Sequence, residues 1–407
     1  MKKIFVYVAL FLSVQFVLAQ EEKINTNKAD FELGKGLQFS FEDGDYQFKI
    51  GGFIQPSYTY SKTEDQKGNS RFRSKRSYFN ISGKALKEKV SFFIQTDFSL
   101  DKPLLDAWVA YHPTSAISIT VGQKRTFTNS REMTYNEDVL QFADRSMVSR
   151  MFSDTGREFG LYLEGNFEWK NAGFVPQLAV TSGDGRNSFG SDSRDADKGG
   201  LKYGGRLDIY PLGYFSEGNK GMTADLQHES SLKMVIGAAA SYNDGASNAI
   251  GEGHGDFIIY NEDGEAQLPD YRKIYTDLLL KYQGFSLLGE YVNTSATGLD
   301  QTFINEAASL PLAPQQISSY LVIGDAWNTQ LGYATLTGYS VDLRYTQLIP
   351  EFDDYSNSIL QDTKAYTLGF SKYFKNNAFK LQTSFSRIDY EAGVNEFRGE
   401  LLLQLVF

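Results

Sequence analysis

The sequence contains no cysteine, only nine prolines and only three histidines among its 407 residues. Without cysteine the chain can form no disulfide, so an exported form would have to be stabilised by other interactions. The lack of cysteine and the scattered positions of the histidines also exclude the ordinary zinc sites. We therefore expect no zinc centre and no cofactor. The acidic loops 184–197 and 252–263 could hold calcium through oxygen ligands, but neither has a full calcium-loop pattern, which favours solvated loops.

An excess of positive charge and long apolar segments are missing as well. The formal net charge is −10, which speaks against nucleic-acid binding. Beyond the first twenty residues no apolar run reaches the roughly 18 residues that a membrane-spanning helix needs. These absences leave three classes: a soluble periplasmic protein, an extracellular protein or an outer-membrane β-barrel.

Residues 1–19 have the composition of a secretory signal peptide. A pair of lysines precedes the apolar run Ile4–Val14, and a small-residue cleavage site ends at Ala19. The apolar run is too short to span a membrane as a helix. A buried N-terminal strand is the alternative, but we expect this segment to be removed on export, leaving residues 20–44 as an N-terminal segment in the periplasm.

Aromatic residues and glycine are abundant, with 31 Phe, 25 Tyr and 37 Gly. Many segments alternate between apolar and polar residues. Over residues 45–60, for example, Phe48 and Ile54 share one parity while Lys49 and Gln55 share the other. A β-strand with one apolar and one wet face produces this period of two.

The alternation predicts sixteen strands, and residues 45–407 are expected to form an all-β, closed, antiparallel transmembrane barrel. Closure is required because lipid cannot satisfy the backbone groups of a free sheet edge. Sixteen strands leave an aqueous channel, whereas eight fill their interior with side chains. The predicted strands are 45–60, 73–84, 88–99, 103–111, 115–124, 157–167, 172–182, 200–211, 230–243, 271–283, 284–295, 327–337, 338–349, 363–374, 377–389 and 397–407.

The connections alternate between short turns and long loops, as the two sides of such a barrel require. Two break the rule, because the one near 100–102 is too short and the one at 212–229 too long. Residues 125–156 form the third outer loop by count and place apolar residues at helical spacing. We expect this loop to contain a short amphipathic helix and to fold into the lumen. The alternative is an ordinary outer loop that packs on itself.

Several segments resemble the phosphate-selective porin O and P family in a Bacteroidetes-like version. They are Tyr46–Pro56, Arg73–Gly83, Asp106–Val109, Val121–Lys124 and Tyr203–Leu207. The resemblance covers about residues 40–407 and implies a homotrimeric channel embedded in outer-membrane lipid. The terminal Phe407 resembles the signal that barrel assembly machinery recognises during biogenesis.

The resemblance implies passive diffusion of small hydrophilic solutes, with a preference for small anions such as phosphate. Arginine suits phosphate because its guanidinium presents several donors in a fixed fork. The candidate pore-lining, anion-binding residues are Arg76, Lys124, Arg125, Arg131, Arg145, Arg150 and Arg206. Against a strong preference, the strand positions of lumen parity carry nine basic and nine acidic residues. A general, non-selective porin and a structural barrel with a blocked lumen therefore stay open.

Catalysis is the remaining alternative, since some outer-membrane barrels are enzymes. A lipase-like barrel needs a nucleophilic serine beside a histidine base. His112 and His228 fall in predicted periplasmic connections, and His254 falls in a glycine-rich outer loop. None of them lies in the middle of a predicted strand, so we expect no enzymatic activity.

The barrel itself is directly testable on detergent-extracted protein. We expect a far-ultraviolet circular dichroism spectrum dominated by β-structure, and faster gel migration before heating than after heating, because a closed barrel resists unfolding by detergent. A helical spectrum would refute the architecture.

Overall fold

The computed structural model describes residues 27–186, 199–253, 255–391 and 393–407. The predicted signal peptide and His254 therefore lie outside the described residues. No helix among the described residues is long and apolar enough to cross a membrane.

The strands in chain order are β1 (Lys28–Glu32), β2 (Gly36–Phe41), β3 (Tyr46–Thr63), β4 (Asn69–Ala85), β5 (Val90–Asp97), β6 (Leu104–Thr114), β7 (Ile117–Arg125), β8 (Arg157–Gly165), β9 (Phe167–Trp169), β10 (Ala172–Thr181), β11 (Lys202–Tyr210), β12 (Lys233–Asn243), β13 (Ile259–Tyr260), β14 (Ala266–Gln267), β15 (Asp270–Tyr282), β16 (Phe285–Thr297), β17 (Gly324–Ala334), β18 (Tyr339–Pro350), β19 (Thr363–Lys375), β20 (Phe379–Tyr390) and β21 (Glu396–Val406). The helices are α1 (Arg131–Thr134) and α2 (Met147–Phe152), with 3-10 turns at Glu42–Gly44, Glu137–Val139, Glu217–Asn219 and Pro314–Ser319.

Seventeen of these segments, β3–β12 and β15–β21, form a closed antiparallel barrel of sixteen strands, because β9 continues β8 and both pair with β10. Closure comes from the pairing of β21 with β3, where Leu401 lies opposite Tyr58. The all-β barrel and its strand number are thus confirmed. Each predicted strand has a counterpart whose ends differ by four residues or fewer.

The residues on the outer and inner faces of the strands are those that the alternation of the sequence predicts. Phe48 and Ile54 are exposed on the outer face, while Gln55 and Ser57 are buried on the inner face. The core of this molecule therefore lies in the lumen and is rich in polar groups, and the apolar residues form the surface that meets lipid.

The N-terminal segment contains a hairpin that the alternation did not predict. Strand β2 pairs with the beginning of β3, with Leu37 opposite Ile50, and β1 pairs with β2. The backbone N–H of Gly34 in the hairpin turn donates to Val406 O at 3.1 Å. The hairpin therefore extends the wall below the end of β21, on the side of the short turns. Its periplasmic location remains a prediction.

Two predicted outer loops are shorter than expected. The first loop covers residues 64–68 rather than 61–72, because β3 and β4 continue outward, and the last covers 391–395. Outside the apolar belt both faces of a strand are wet, so the alternation that marks a strand fades there. The short connection near 100–102 is real and covers residues 98–103.

The long periplasmic-side connection at 211–232 folds inward rather than hanging below the barrel. Phe215 packs against Leu279 and Leu288 of the wall. The ammonium group of Lys281 donates to the backbone O atoms of Asn219 and Met222, both at 2.8 Å. This segment therefore occupies part of the lumen at the end with the short turns.

Gly52 offers a test of the closure. A Cβ atom on this residue would lie 2.1 Å from Tyr78 O on the neighbouring strand, a backbone atom that cannot move away freely. We expect Gly52→Ala to lower the temperature at which the unheated gel band disappears, since such overpacking costs roughly 1–3 kcal/mol. Gly289→Ala is the control, because nothing lies within 4 Å of its Cβ position. Equal effects of the two substitutions would contradict the claim that the close approach of Gly52 to β4 stabilises the barrel.

Candidate functional site in the barrel lumen

The third outer loop, residues 126–156, lies inside the barrel. Helix α2 buries Val148 and Phe152 in a cluster with wall residues Tyr275, Val292 and Leu348. Other parts of the loop bind inward-facing side chains of β11, β15, β18 and β20. These contacts run from the loop to strands on several sides of the barrel.

The amphipathic helix is shorter than its apolar spacing predicts. It covers only Met147–Phe152, and the hydroxyl of Ser146 caps it by accepting from the Ser149 N–H at 3.2 Å. The apolar residues at positions 140–143 belong to an irregular segment instead. Backbone groups of this segment bond to wall side chains, which removes the need for helical bonds.

Side chains of the wall hold the backbone carbonyl groups of this irregular segment. The Lys380 ammonium group donates to the O atoms of Asp138 at 2.8 Å and Leu140 at 3.0 Å. The Gln382 amide donates to the O atoms of Leu140 and Gln141 at 3.0 and 2.9 Å. Further donors are Gln55 to Glu137 O, Gln404 to Asp138 O, Arg344 to Asp144 O and Lys273 to Phe152 O. Much of the polar wall thus serves to position the loop.

Two of the predicted anion-binding arginines lie in a buried ion-pair quartet. The Arg131 guanidinium binds Asp208 in a bidentate manner at 2.7 and 2.8 Å and Asp277 at 2.8 Å. Arg206 binds the same two carboxylates. All four side chains are at most 8% exposed. The two positive charges are balanced by two negative ones, as buried charges require.

Three more candidates are also held by carboxylates. Arg125 and Arg145 contact the two oxygens of Glu137 at 2.8 and 2.6 Å. Burial acts to raise the pKa of Glu137, but the guanidinium groups around it prevail and hold that pKa well below its usual range. Lys124 pairs with Glu164 in the wall. These three groups therefore line the lumen as partners of neighbouring acids.

A β-bulge in β4 turns two successive basic side chains into the lumen. Gln55 pairs with Arg76 and Pro56 with Ser74, so Lys75 has no partner on β3. A bulge inserts one extra residue, and proline favours such a site because it has no N–H for the ladder. Arg76 donates to Gln55 Oε1 at 2.8 Å and Lys75 binds Glu400 at 2.7 Å.

Beyond the bulge the parity of β4 is reversed, so Arg73 also faces inward, with its guanidinium 3.9 Å from Glu400. Sequence reasoning missed Arg73 and Lys75 because a strict period of two places only Arg76 inside. Pro56 was the signal that could have indicated the bulge.

The remaining candidate, Arg150, belongs to a group that is less completely paired, which we name the Asp144 cluster. It consists of two carboxylates and four basic residues, namely Asp144, Glu400, Arg73, Lys75, Arg150 and Arg398. Lys75, Arg398 and Arg150 lie 3.2, 3.7 and 3.8 Å from the Asp144 carboxylate. Arg73, Arg150 and Arg398 keep 33–39% of their side-chain surface exposed. Arg398 also lies 3.3 Å from Glu396, and with this carboxylate counted, four basic groups face three carboxylates.

The Asp144 cluster borders a narrow cavity between the loop and strands β18–β21. Arg145, Arg150, Arg344 and Arg398 line it together with only two carboxylates, those of the cluster. The cavity holds about 30 Å³, roughly the space of one water molecule in the liquid. Arg145 and Arg344 are paired with Glu137 and Glu132 outside the cavity, so Arg150 and Arg398 are its less completely paired arginines.

A wider space lies on the other side of the loop. A cavity of about 420 Å³ is lined by Lys124, Arg125 and Arg157 among others. A second cavity of about 540 Å³ reaches the N-terminal hairpin, and the two share Phe93 and Trp108. The lumen therefore continues from the loop toward the side of the short turns.

One serine–histidine contact exists, near the short turns. Ser91 Oγ lies 2.8 Å from His112 Nε2. Among the described residues no carboxylate hydrogen-bonds to the other ring nitrogen of His112, so the third member of a nucleophile-activating array is not in place. Within the same residues no group of three or more histidine, aspartate or glutamate side chains is placed to hold a metal ion.

Comparison with known proteins identifies the family. The family model described as phosphate-selective porin O and P matches residues 48–298. The chain belongs to this family. No curated protein gives a match to the porin.

Solved structures share the fold of this porin at low sequence identity. OprB of Pseudomonas putida has a TM-score of 0.55 and 11% identity, with 88% of this chain and 94% of that chain covered. The outer-membrane channel DcaP of Acinetobacter baumannii has a TM-score of 0.54 and 12% identity over 90% and 99%. OmpF of Salmonella typhi in complex with daunomycin has a TM-score of 0.50 and 12% identity over 93% and 100%.

Family and fold together define the protein's role. The porin resides in the outer membrane and allows passive diffusion through its barrel. The family and the fold both point to a channel rather than an enzyme. The geometry adds that the loop is held in the lumen by buried charges and wall amides.

The buried quartet predicts a large effect of one substitution. Arg131→Met leaves Asp208 and Asp277 with Arg206 alone, and breaking a buried pair in this way costs ~3–5 kcal/mol. The temperature at which the unheated gel band disappears should fall clearly. Adding Asp208→Asn to this variant restores the charge balance and should recover part of the loss. If the single and double variants behave alike, the charge balance of the quartet does not stabilise the fold.

Proposed function

We propose that the porin prefers small anions, phosphate among them, and that the Asp144 cluster is where the preference arises. The family suggests phosphate selectivity. The observation that carries the proposal is the surplus of partly exposed arginine around Asp144 and Glu400, at the narrow cavity beside the loop.

The physical basis is the field at a constriction. Low-dielectric walls focus the field of nearby charges, so an excess of cations acts most strongly where the lumen is narrow. Arg131 and Arg206 are balanced within their quartet, so their field there is largely cancelled. Arg150 lies 3.8 Å from Asp144, longer than a good hydrogen bond, so a passing anion can compete for its donors. Arg398 lies 3.7 Å from Asp144 and 3.3 Å from Glu396 and keeps a third of its side chain exposed.

Loose pairing also suits transport. Conduction requires that binding is favourable enough for entry and weak enough for release. Several partly exposed guanidinium groups provide modest sites with fixed forks for phosphate oxygens. The pairs at Arg125, Arg131 and Arg206 are too short and too buried to exchange partners readily.

We further propose that the porin is exported with a cleaved signal peptide, inserted by barrel assembly machinery and assembled as a homotrimer in outer-membrane lipid. The signal-like start, the aromatic C-terminal residue Phe407 and the family resemblance support these steps.

Planar-bilayer recording in a salt gradient tests the anion preference. Arg150→Gln and Arg398→Gln should each lower the anion-to-cation permeability ratio about two- to fivefold. Exposed charge interactions of this kind are worth ~0.4–1 kcal/mol, and 1.4 kcal/mol is about a factor of ten.

Arg387→Gln is the matched control for these recordings, because Arg387 faces outward on β20 and pairs with Asp389. Its permeability ratio should equal that of the natural protein. A cation-selective natural protein would overturn the anion proposal and leave a general porin, and a protein without conductance would point to the blocked barrel.

A further inference from the structure

A row of inward-facing side chains crosses five neighbouring strands near the short turns. Gln38 on β2 lies opposite Lys49 on β3, which lies opposite Ser82 on β4. Ser82 in turn lies opposite Phe93 on β5, and Phe93 lies opposite Trp108 on β6. All five line the cavity of about 540 Å³ that reaches the N-terminal hairpin, and we name them the vestibule row. Neighbouring strands lie ~4.8 Å apart, so the row spans about 20 Å of the wall from a polar end to an aromatic end.

The aromatic end of the vestibule row is open to the lumen. The ring centroids of Phe93 and Trp108 lie 5.8 Å apart, and both side chains are only half-buried. Other inward-facing rings, such as those of Phe53, Tyr162 and Tyr275, are at most 2% exposed because they pack in buried clusters. Since apolar rings gain free energy when they leave water, an uncovered pair in a wet passage is suited to bind the ring of a solute.

The aromatic pair lies where the two larger cavities of the lumen meet, since Phe93 and Trp108 line both of them. A solute that moves from the loop toward the short turns therefore passes these rings. The cavity volumes of about 420 and 540 Å³ lie within the roughly 300–1,000 Å³ of pockets that bind small organic molecules. The space is thus large enough for an organic anion and not only for an inorganic one.

The polar end of the vestibule row offers groups for a phosphate and for hydroxyls. Lys49 lies two strands away from Phe93, a separation of about 10 Å between their Cα atoms. Among the described residues the Lys49 ammonium group forms no ion pair, and the side chains of Ser82 and Gln38 form no hydrogen bond. These groups are therefore available to a solute.

The charge at this end of the cavity is positive. Lys28, Lys49 and Lys84 line it together with one carboxylate, that of Asp30. Lys84 is paired with Glu88 at 3.0 Å. Two lysines thus face a single carboxylate, which favours an anionic group beside the aromatic pair.

We propose that the vestibule row is a subsite for nucleoside monophosphates, in which the base stacks on Trp108 and Phe93 and the phosphate binds Lys49. A nucleotide joins an aromatic ring to a phosphate through a sugar, and Ser82 stands between the matching side chains of the row. Stacking accepts any base, because every base has a π-face. The phosphate half of this subsite rests on the anion preference proposed above, whereas the ring half does not.

Current block in planar bilayers tests the subsite. Adenosine monophosphate in both chambers should block the natural protein at about a tenfold lower concentration than ribose phosphate, which lacks the base. Tenfold corresponds to ~1.4 kcal/mol, within the range of stacking between a base and an aromatic side chain. Trp108→Ala should remove this difference, and Trp108→Phe should keep most of it. Equal block of the natural protein by the two solutes, or an unchanged difference in Trp108→Ala, overturns the proposal.

Trp327→Ala is the matched control for these recordings, because Trp327 is exposed on the outer face of β17. It should keep the tenfold difference. Loss of the difference in this variant as well would mean that the effect of Trp108→Ala is not local, which contradicts the subsite.

Tryptophan fluorescence tests the stacking without conductance. The chain has three tryptophans, so Trp169→Phe/Trp327→Phe keeps Trp108 as the only emitter. Adenosine monophosphate should quench its emission, and ribose phosphate should leave it unchanged. The matched variant Trp108→Phe/Trp169→Phe keeps Trp327 instead and should show no quenching by either solute. Quenching of equal size in both variants overturns the proposal.

Two further variants separate this subsite from the anion preference. Lys49→Gln should weaken block by adenosine monophosphate and by ribose phosphate alike, and unchanged block would refute the role of Lys49. Trp108→Ala should leave the permeability ratio in a salt gradient unchanged. Loss of the anion preference therefore appears as cation selectivity in the gradient, whereas failure of the subsite appears as missing discrimination between the two phosphates.

Discussion

The hydrogen bonds between wall side chains and the backbone of the inserted loop are the constraint on which the rest of this porin depends. Residues 140–143 of the loop are buried against the wall, so their backbone carbonyl groups need donors from the protein. Lys380 and Gln382 alone satisfy three carbonyl groups of the loop, those of Asp138, Leu140 and Gln141. Because these donors are fixed on the rigid sheet, they determine where the loop lies and therefore where the lumen is narrow.

Because of this constraint, a charged side chain in the lumen can have either of two roles: it can hold the loop, or it can face the passing solute. By number, basic and acidic wall residues are balanced, and the sequence alone cannot distinguish a charge that holds the loop from one that faces solute. In the structure Arg131 and Arg206 share their carboxylates at hydrogen-bond distance, whereas Arg150 and Arg398 meet Asp144 at 3.7–3.8 Å and remain partly exposed. The electric field in the passage depends on the partly exposed arginines, because the charges of the tightly paired ones are largely cancelled. On our proposal, selectivity depends on incomplete pairing of charges at one place rather than on the total charge of the wall.

The strands were predictable because each has one face toward lipid and one toward water. Apolar and polar residues therefore alternate along its sequence. Prediction failed where a second chain segment supplies the environment. The apolar spacing around Phe142 resembles a helix, yet the backbone there bonds to Gln382 and its neighbours instead. The inward fold of 211–232 and the pairing of β2 with β3 depend on contacts distant in sequence.

For the functional residues, sequence reasoning found Arg150 but not Arg73 or Lys75. The reason is the bulge opposite Pro56, which shifts the parity of β4 by one residue. A one-residue shift exchanges the two faces of a strand. Six of the seven predicted basic residues have short bonds to partners in the protein, a fact that no residue count could reveal.

The same bulge determines which basic groups reach the lumen. Beyond it, the outward half of β4 presents Lys75 and Arg73 to the lumen and Phe72 to the outside. Among the described residues this half is paired with β3 alone, so its position is less fixed than that of a strand held on both edges. The contacts of Lys75 with Asp144 and Glu400 therefore help to fix the distance between this strand and the loop.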